Sequence, residues 1–91
     1  MKTGELQAVA DVCKMLADPT RLSIVTILSR GPKPVMSLCR EMKQQRPMVS
    51  HHLDLLRMSG LVDREQKGRE MHYSLNYGKL GTARSFLAKV K

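Results

Sequence analysis

Between Met48 and Met71 the chain changes its period, and that change limits the folds open to it. The run Met48-Val49-Ser50-His51-His52-Leu53-Asp54-Leu55-Leu56-Arg57 spaces its apolar residues as a helix does, and Gly60 stops it. After Leu61 the period falls towards two. Val62, Arg64 and Gln66 share one side of a predicted strand and Asp63 and Glu65 the other; Lys67-Gly68 supplies a turn, and Met71, Tyr73 and Leu75 share a face on the return. A polar helix followed at once by a cationic hairpin has the shape needed to read double-stranded DNA. The helix fits the major groove while the ribbon reaches phosphates.

Upstream, Leu6, Val9, Ala10, Cys13, Leu16 and Ala17 mark one amphipathic helix. Asp18-Pro19 then predicts a stop and a restart, because Asp caps a helix well and Pro suits its first position. The following segment, Leu22 to Leu28, is apolar on most sides, so it is expected to be the most buried element. Arg30-Gly31-Pro32 closes it, and Pro32-Lys33-Pro34 reads as a short stiff connection. A third helix runs from near Met36 to Lys43 with Leu38 and Met42 facing inward, and Gln44-Gln45-Arg46 turns into the fourth. A last helix spans Lys79 to Val90 on the stripe Leu80, Ala83, Leu87 and Val90, with Gly78 and Gly81 weakening its start.

The predicted class is therefore mainly α with a small β-hairpin. Five helices, with a wing between the fourth and the fifth, form a single winged helix-turn-helix domain over residues 1–91. A chain of 91 residues buries only about 60 to 70% of its unfolded surface, so association through a helix face is a natural way to gain burial.

Sixteen Lys and Arg against eight Asp and Glu leave a net charge of +8, which favours a polyanionic partner. After Met71 every charged residue is basic: Lys79, Arg84, Lys89 and Lys91. Aromatics are too few, at 3%, to supply the stacking platforms of a single-strand binder. No apolar run reaches the roughly 18 residues of a membrane span, and the first residues make no signal peptide, so a cytoplasmic protein without a membrane partner is expected.

At about 100° per residue, Val49, His52, Leu53 and Leu56 share one face of the fourth helix, and Pro47, Ser50, His51 and Asp54 another. The first face is expected to pack and the second to look out. Ser50 can donate or accept a hydrogen bond, and His51 can donate to guanine N7 or O6 or to a phosphate. The candidate DNA-binding residues are Gln45, Arg46, Met48, Ser50, His51, Arg64, Lys67 and Arg69.

Three stretches together carry a resemblance. They are Leu16-Ala17-Asp18-Pro19-Thr20-Arg21-Leu22; then Val49-Ser50-His51-His52-Leu53 through Leu55-Leu56-Arg57 and Gly60-Leu61-Val62; then Gly68-Arg69 with Tyr73-Ser74-Leu75. In order and extent the chain resembles the ArsR/SmtB family of small winged helix-turn-helix repressors. The resemblance implies a homodimer joined through its first and last helices, bound to a pseudo-palindromic double-stranded DNA operator near a promoter and released by an effector that the sequence does not name. Its helices would meet through Leu6, Val9, Cys13, Leu80, Ala83, Leu87 and Val90. The chain departs from the family where a Gly, an apolar residue and a Ser commonly lead into the reading helix: it has Lys43, Gln44 and Gln45. Arg46 and Met48 replace the usual Gln and Thr, and Asp54 stands where a basic residue is common. These differences predict a changed sequence preference rather than lost DNA binding, because Gln45 and Arg46 can still contact bases or phosphates.

Many members of that family sense metals, commonly with a Cys-x-Cys pair where this chain has Pro34, Val35 and Met36, or with acids and histidines in the last helix, where it has neither. No metal and no cofactor is expected. Adjacent His51 and His52 diverge by about 100° and cannot chelate as an i, i+4 pair could. His72 in the hairpin is likewise expected to be structural. Cys13 and Cys39 are expected as reduced, buried thiols. The alternative is that they approach each other as a redox switch or a metalloid site. A further alternative is a winged-helix module that docks protein. Catalysis is not expected, since no nucleophile motif, phosphate loop or paired carboxylates occur.

Overall fold

The computed structural model describes residues 3–90. In chain order it has α1 (Thr3–Leu16), α2 (Pro19–Leu28), β1 (Lys33–Pro34), α3 (Val35–Met42), α4 (Arg46–Met58), β2 (Val62–Lys67), β3 (Glu70–Leu75) and α5 (Tyr77–Lys89). The five helices and the wing between α4 and α5 match the predicted winged helix-turn-helix class.

Local chemistry explains the boundaries. Asp18 is extended, at φ −107° and ψ 129°, and its carboxylate accepts the Arg21 N–H at 3.0 Å, so α2 starts at Pro19. Asn76 plays the same part for α5 by accepting the Lys79 N–H at 3.1 Å. This cap outweighs the cost of Gly78 and Gly81, and α5 therefore starts at Tyr77 rather than Lys79. Helix α4 likewise starts at Arg46, with Gln45 in the cap position but forming no side-chain cap bond.

Two helices end on the same device. At the end of α4 the Gly60 N–H reaches the Arg57 carbonyl and the Leu61 N–H reaches the Leu56 carbonyl, both at 3.0 Å, while Gly60 carries φ +83°. This is the Schellman arrangement, in which one left-handed residue lets two following N–H groups satisfy carbonyls of the last turn. At the end of α3 the Lys43 N–H meets the Arg40 carbonyl at 3.3 Å and the Gln44 N–H meets the Cys39 carbonyl at 3.1 Å. There the left-handed residue is Lys43, at φ 55° and ψ 45°. The turn thus keeps a glycine-type geometry without a glycine.

The sheet has the order β1-β3-β2 and is antiparallel throughout. Strand β1, expected only as a connection, pairs Lys33 with Tyr73 and Pro34 with His72. A two-residue strand has no alternation to read, and Pro34 is tolerated there because β1 is an edge. The hairpin register runs from Val62 opposite Leu75 to Lys67 opposite Glu70. Its loop is consequently Gly68-Arg69, one residue later than Lys67-Gly68, with Gly68 at φ +63° as the first turn residue. The Asn76 N–H closes the base of the wing on the Leu61 carbonyl at 2.9 Å.

The core gathers Val12, Ile24, Leu28, Leu38, Val49, Leu53, Leu56, Leu61 and Val62. Helix α2, expected to be the most buried element, buries Ile24, Ile27 and Leu28 but leaves Leu22 46% exposed beside exposed Ser23 and Thr26. Its neighbours cover one side only. The three core side chains of α4, Val49, Leu53 and Leu56, are fully buried.

Leu53→Ala should cost about 2–5 kcal/mol, read by urea denaturation, because it opens a cavity in a filled core. Lys43→Gly should stabilise the chain by roughly 0.5–1 kcal/mol in the same measurement, since the left-handed penalty of a side chain exceeds the entropy cost of glycine there.

Candidate nucleic-acid interface

The apolar stripe of α4 decides which of its residues can meet a ligand. With Val49, Leu53 and Leu56 buried, His51, Pro47 and Asp54 are exposed and Ser50 and Met48 are half-buried on the remaining surface. Gln45 and Arg46 are exposed at the start of the helix, where side chains enter a groove first. Asp54 lies 3.9 Å from Arg57, one turn along the same helix, so its charge is partly offset.

The wing supplies charge on an exposed arm. Its base is anchored by buried Val62, Tyr73 and Leu75, while every residue from Asp63 to Glu70 is exposed, including Arg64, Lys67 and Arg69. A cleft of about 130 Å³ lies between the starts of α3 and α4 and the wing loop, and Arg46 and Arg69 are both on its walls. The fold thus brings together two arginines that are 23 residues apart in the sequence. Glu70 lies on the same wall, so the cleft's charged residues are two arginines and one carboxylate, a net positive set that can meet a phosphodiester.

The inner face of α4 holds His52. Its ring stands edge-on to His51, with centroids 5.5 Å apart, and its Nδ1 lies 3.4 Å from Arg21 Nη1 and 3.9 Å from Asp18 Oδ2. The Arg21 N–H holds the Asp18 carboxyl below the usual carboxylate range; partial burial opposes this, and the charges of Arg21 and His52 add to it. Sequence reasoning placed His52 inward and Asp18 as a cap, but it did not connect Arg21 to either. The only signal was the short Asp18-Pro19-Thr20-Arg21 string, which reads as a helix start.

The family model for bacterial regulatory proteins of the arsR family matches residues 18–64, from the Asp18 cap through α4 into the wing. The chain belongs to the ArsR family. Among its relatives, the arsenical resistance operon repressor of Escherichia coli K12 is 47% identical over 64 residues, which are 69% of this chain and 55% of the repressor. The chain therefore spans about half the length of that relative. An ArsR-like transcriptional regulator from Rhodococcus sp. RHA1 superposes with a TM-score of 0.85 at 30% identity, covering 98% of this chain and 82% of the other. A homodimeric winged helix-turn-helix DNA-binding domain from Mycobacterium bovis gives a TM-score of 0.76 at 26% identity, covering 91% and 79%.

In this ArsR-family chain α1 and α5 pack on each other, and that packing divides the residues expected at a dimer contact. Leu6, Leu87 and Val90 are exposed, with Leu87 at 65%, and Leu80 is half-buried. Val9 and Ala83, expected to face a second copy, are instead buried within the chain. Between the two helices runs a groove of about 340 Å³ whose walls include Ala8, Val9, Thr82 and Phe86.

The thiols also differ from expectation. Cys39 is buried beside Leu38, but Cys13 is exposed, because the buried residues of α1 are Val9 and Val12 and Cys13 turns away from them. Pro34, Val35 and Met36 offer no thiolate at the family's usual metal position, and among the described residues no three His, Cys, Asp or Glu side chains gather. Among those residues no helix is long and apolar enough to cross a membrane.

Asp18 loses its charge only at a lower pH in the folded chain than in the unfolded one, so it stabilises the fold above the ordinary carboxylate pKa and stops doing so as the pH falls through the depressed value. Asp18→Asn keeps a capping side chain but carries no charge, so it should be less stable than the wild type near pH 7 and converge with it below about pH 4, with a flatter pH profile between. Denaturation midpoints across that range check this.

Proposed function

We propose that two copies of this chain bind one pseudo-palindromic double-stranded DNA operator and repress transcription by excluding polymerase from an overlapping promoter. The observation that carries the reading is the placing of His51 and Ser50 on the open face of α4, beside a basic wing whose Arg69 shares a cleft with Arg46. Ser50 and His51 meet base edges, with Gln45 and Met48 at the margin of that contact. Arg46, Arg64, Lys67 and Arg69 hold phosphates. Two-fold symmetry sets the two reading helices about 34–36 Å apart, one turn of DNA.

Dimerisation uses the exposed apolar residues of α1 and α5: Leu6, Leu87 and Val90, with Leu80 and Cys13 alongside. Val9 and Ala83 support that surface from beneath. The reading is supported by the repressor activity named for the Escherichia coli relative and by the homodimeric state of the Mycobacterium bovis domain. Release by an effector belongs to the same reading, without a metal held at the family's usual positions.

Selection of bound fragments from the source genome, followed by titration of the selected duplex, tests it. Binding should weaken steeply with salt, and replacing Lys67 and Arg69 together by Ala, which removes two phosphate contacts from each of the two copies, should lower the slope of log affinity against log salt by about 4. Duplex binding indifferent to that double change, or no duplex binding at low salt, would show a protein-docking module instead. His51→Ala should cost roughly 5- to 160-fold per half-site on the selected duplex and little on a scrambled one, since a base contact carries about 1–3 kcal/mol of discrimination.

A further inference from the structure

Behind the reading helix, the side chain of Arg21 ties three helices together. Its Nε–H donates to the carbonyl of Met15 at 2.7 Å, in the last turn of α1, where helix carbonyls lack partners of their own. Its Nη1 lies 3.4 Å from Nδ1 of His52 on α4, and its backbone N–H donates to the Asp18 cap of α2. The whole cluster is part-buried, so water competes with these contacts from one side only.

Apolar contact alone holds α4 loosely in direction. Burial of Val49, Leu53 and Leu56 resists rotation of the helix about its axis, yet it is non-directional and tolerates small tilts and slides. Hydrogen bonds are directional. The Arg21 side chain adds a directional link from α4 to α1 to the apolar contact the two share through the core, and α1 carries part of the proposed dimer surface.

We infer that Arg21 and His52 are positioning residues for operator reading, locking α4 to α1 so that the dimer contact sets the angle and spacing of the two reading helices. The inference rests on the function proposed above. For Nδ1 of His52 to accept from Arg21, the ring carries its proton on Nε2. Asn at position 52 can put its carboxamide oxygen near the place of Nδ1, whereas Leu fills the space without an acceptor.

The test compares the full chain with His52→Asn, His52→Leu and Arg21→Lys, the last keeping the charge but not the fork that reaches both acceptors. Each binds three duplexes: the selected operator, the same operator with two base pairs inserted between half-sites, and a scrambled duplex. His52→Leu and Arg21→Lys should lose about 10-fold on the operator and discriminate less against the inserted spacing, while scrambled-DNA binding and dimerisation stay near wild type. His52→Asn should stay within about 3-fold of wild type on all three. A merely structural role would lower all three duplexes in parallel with the melting temperature, and that outcome overturns the inference. So does wild-type behaviour of both His52→Leu and Arg21→Lys. A wild type that does not prefer the selected duplex overturns the proposed function itself, and the inference with it.

Discussion

The burial of one stripe on α4, Val49, Leu53 and Leu56, decides which residues of that helix remain open to a ligand. Each such side chain contributes about 1.5–3 kcal/mol when taken fully out of water. Three of them together are comparable to the whole net stability of a small domain, about 5–15 kcal/mol. Rotating α4 by one residue would forfeit much of that. The stripe therefore dictates that His51 looks out and His52 looks in, although the two are neighbours in the chain. A single hydrogen bond, worth a net 0.5–1.5 kcal/mol, could not make that choice. It can refine it, which is the scale on which Arg21 and His52 act.

The same seam sets the base of the wing. Leu61 follows the left-handed Gly60 directly, so the residue that completes the end of α4 is also buried in the core, and Val62 beside it opens β2. Helix and ribbon thus leave the core from adjacent points. The basic loop at Gly68-Arg69 is carried outward by β2, exposed beyond Val62, and by β3, of which only Glu70 is fully exposed. Edge strand β1 fixes β3 from the other side, through a segment that also leads straight into α3. That continuity is why Arg46 and Arg69 come to face one cleft.

Most of the fold was legible because its signals are local. The 3.6-residue stripes, the Asp18-Pro19 restart, the Gly60 stop and the alternation after Leu61 are each read within a few residues, and each corresponds to an element of the structure. The misreadings have equally local causes. Strand β1 is two residues long and carries no pattern, and the hairpin loop shifts by one residue because cross-strand pairing decides where the strands end. Exposed Leu22 and Cys13 were misjudged because composition shows that a helix is apolar without showing how many neighbours will cover it.

By itself the sequence determined the order of helices and hairpin, the outward and inward faces of α4, the excess of positive charge and the ArsR-type pattern, since all of these depend on residue type and near neighbours. Tertiary structure alone decided the rest. It placed Arg21 against both Met15 and His52, 31 residues away, drew Arg46 towards Arg69, and buried Val9 and Ala83 inside the chain. Those outcomes depend on the angles at which helices cross, and such angles come from packing the whole core at once rather than from any one segment.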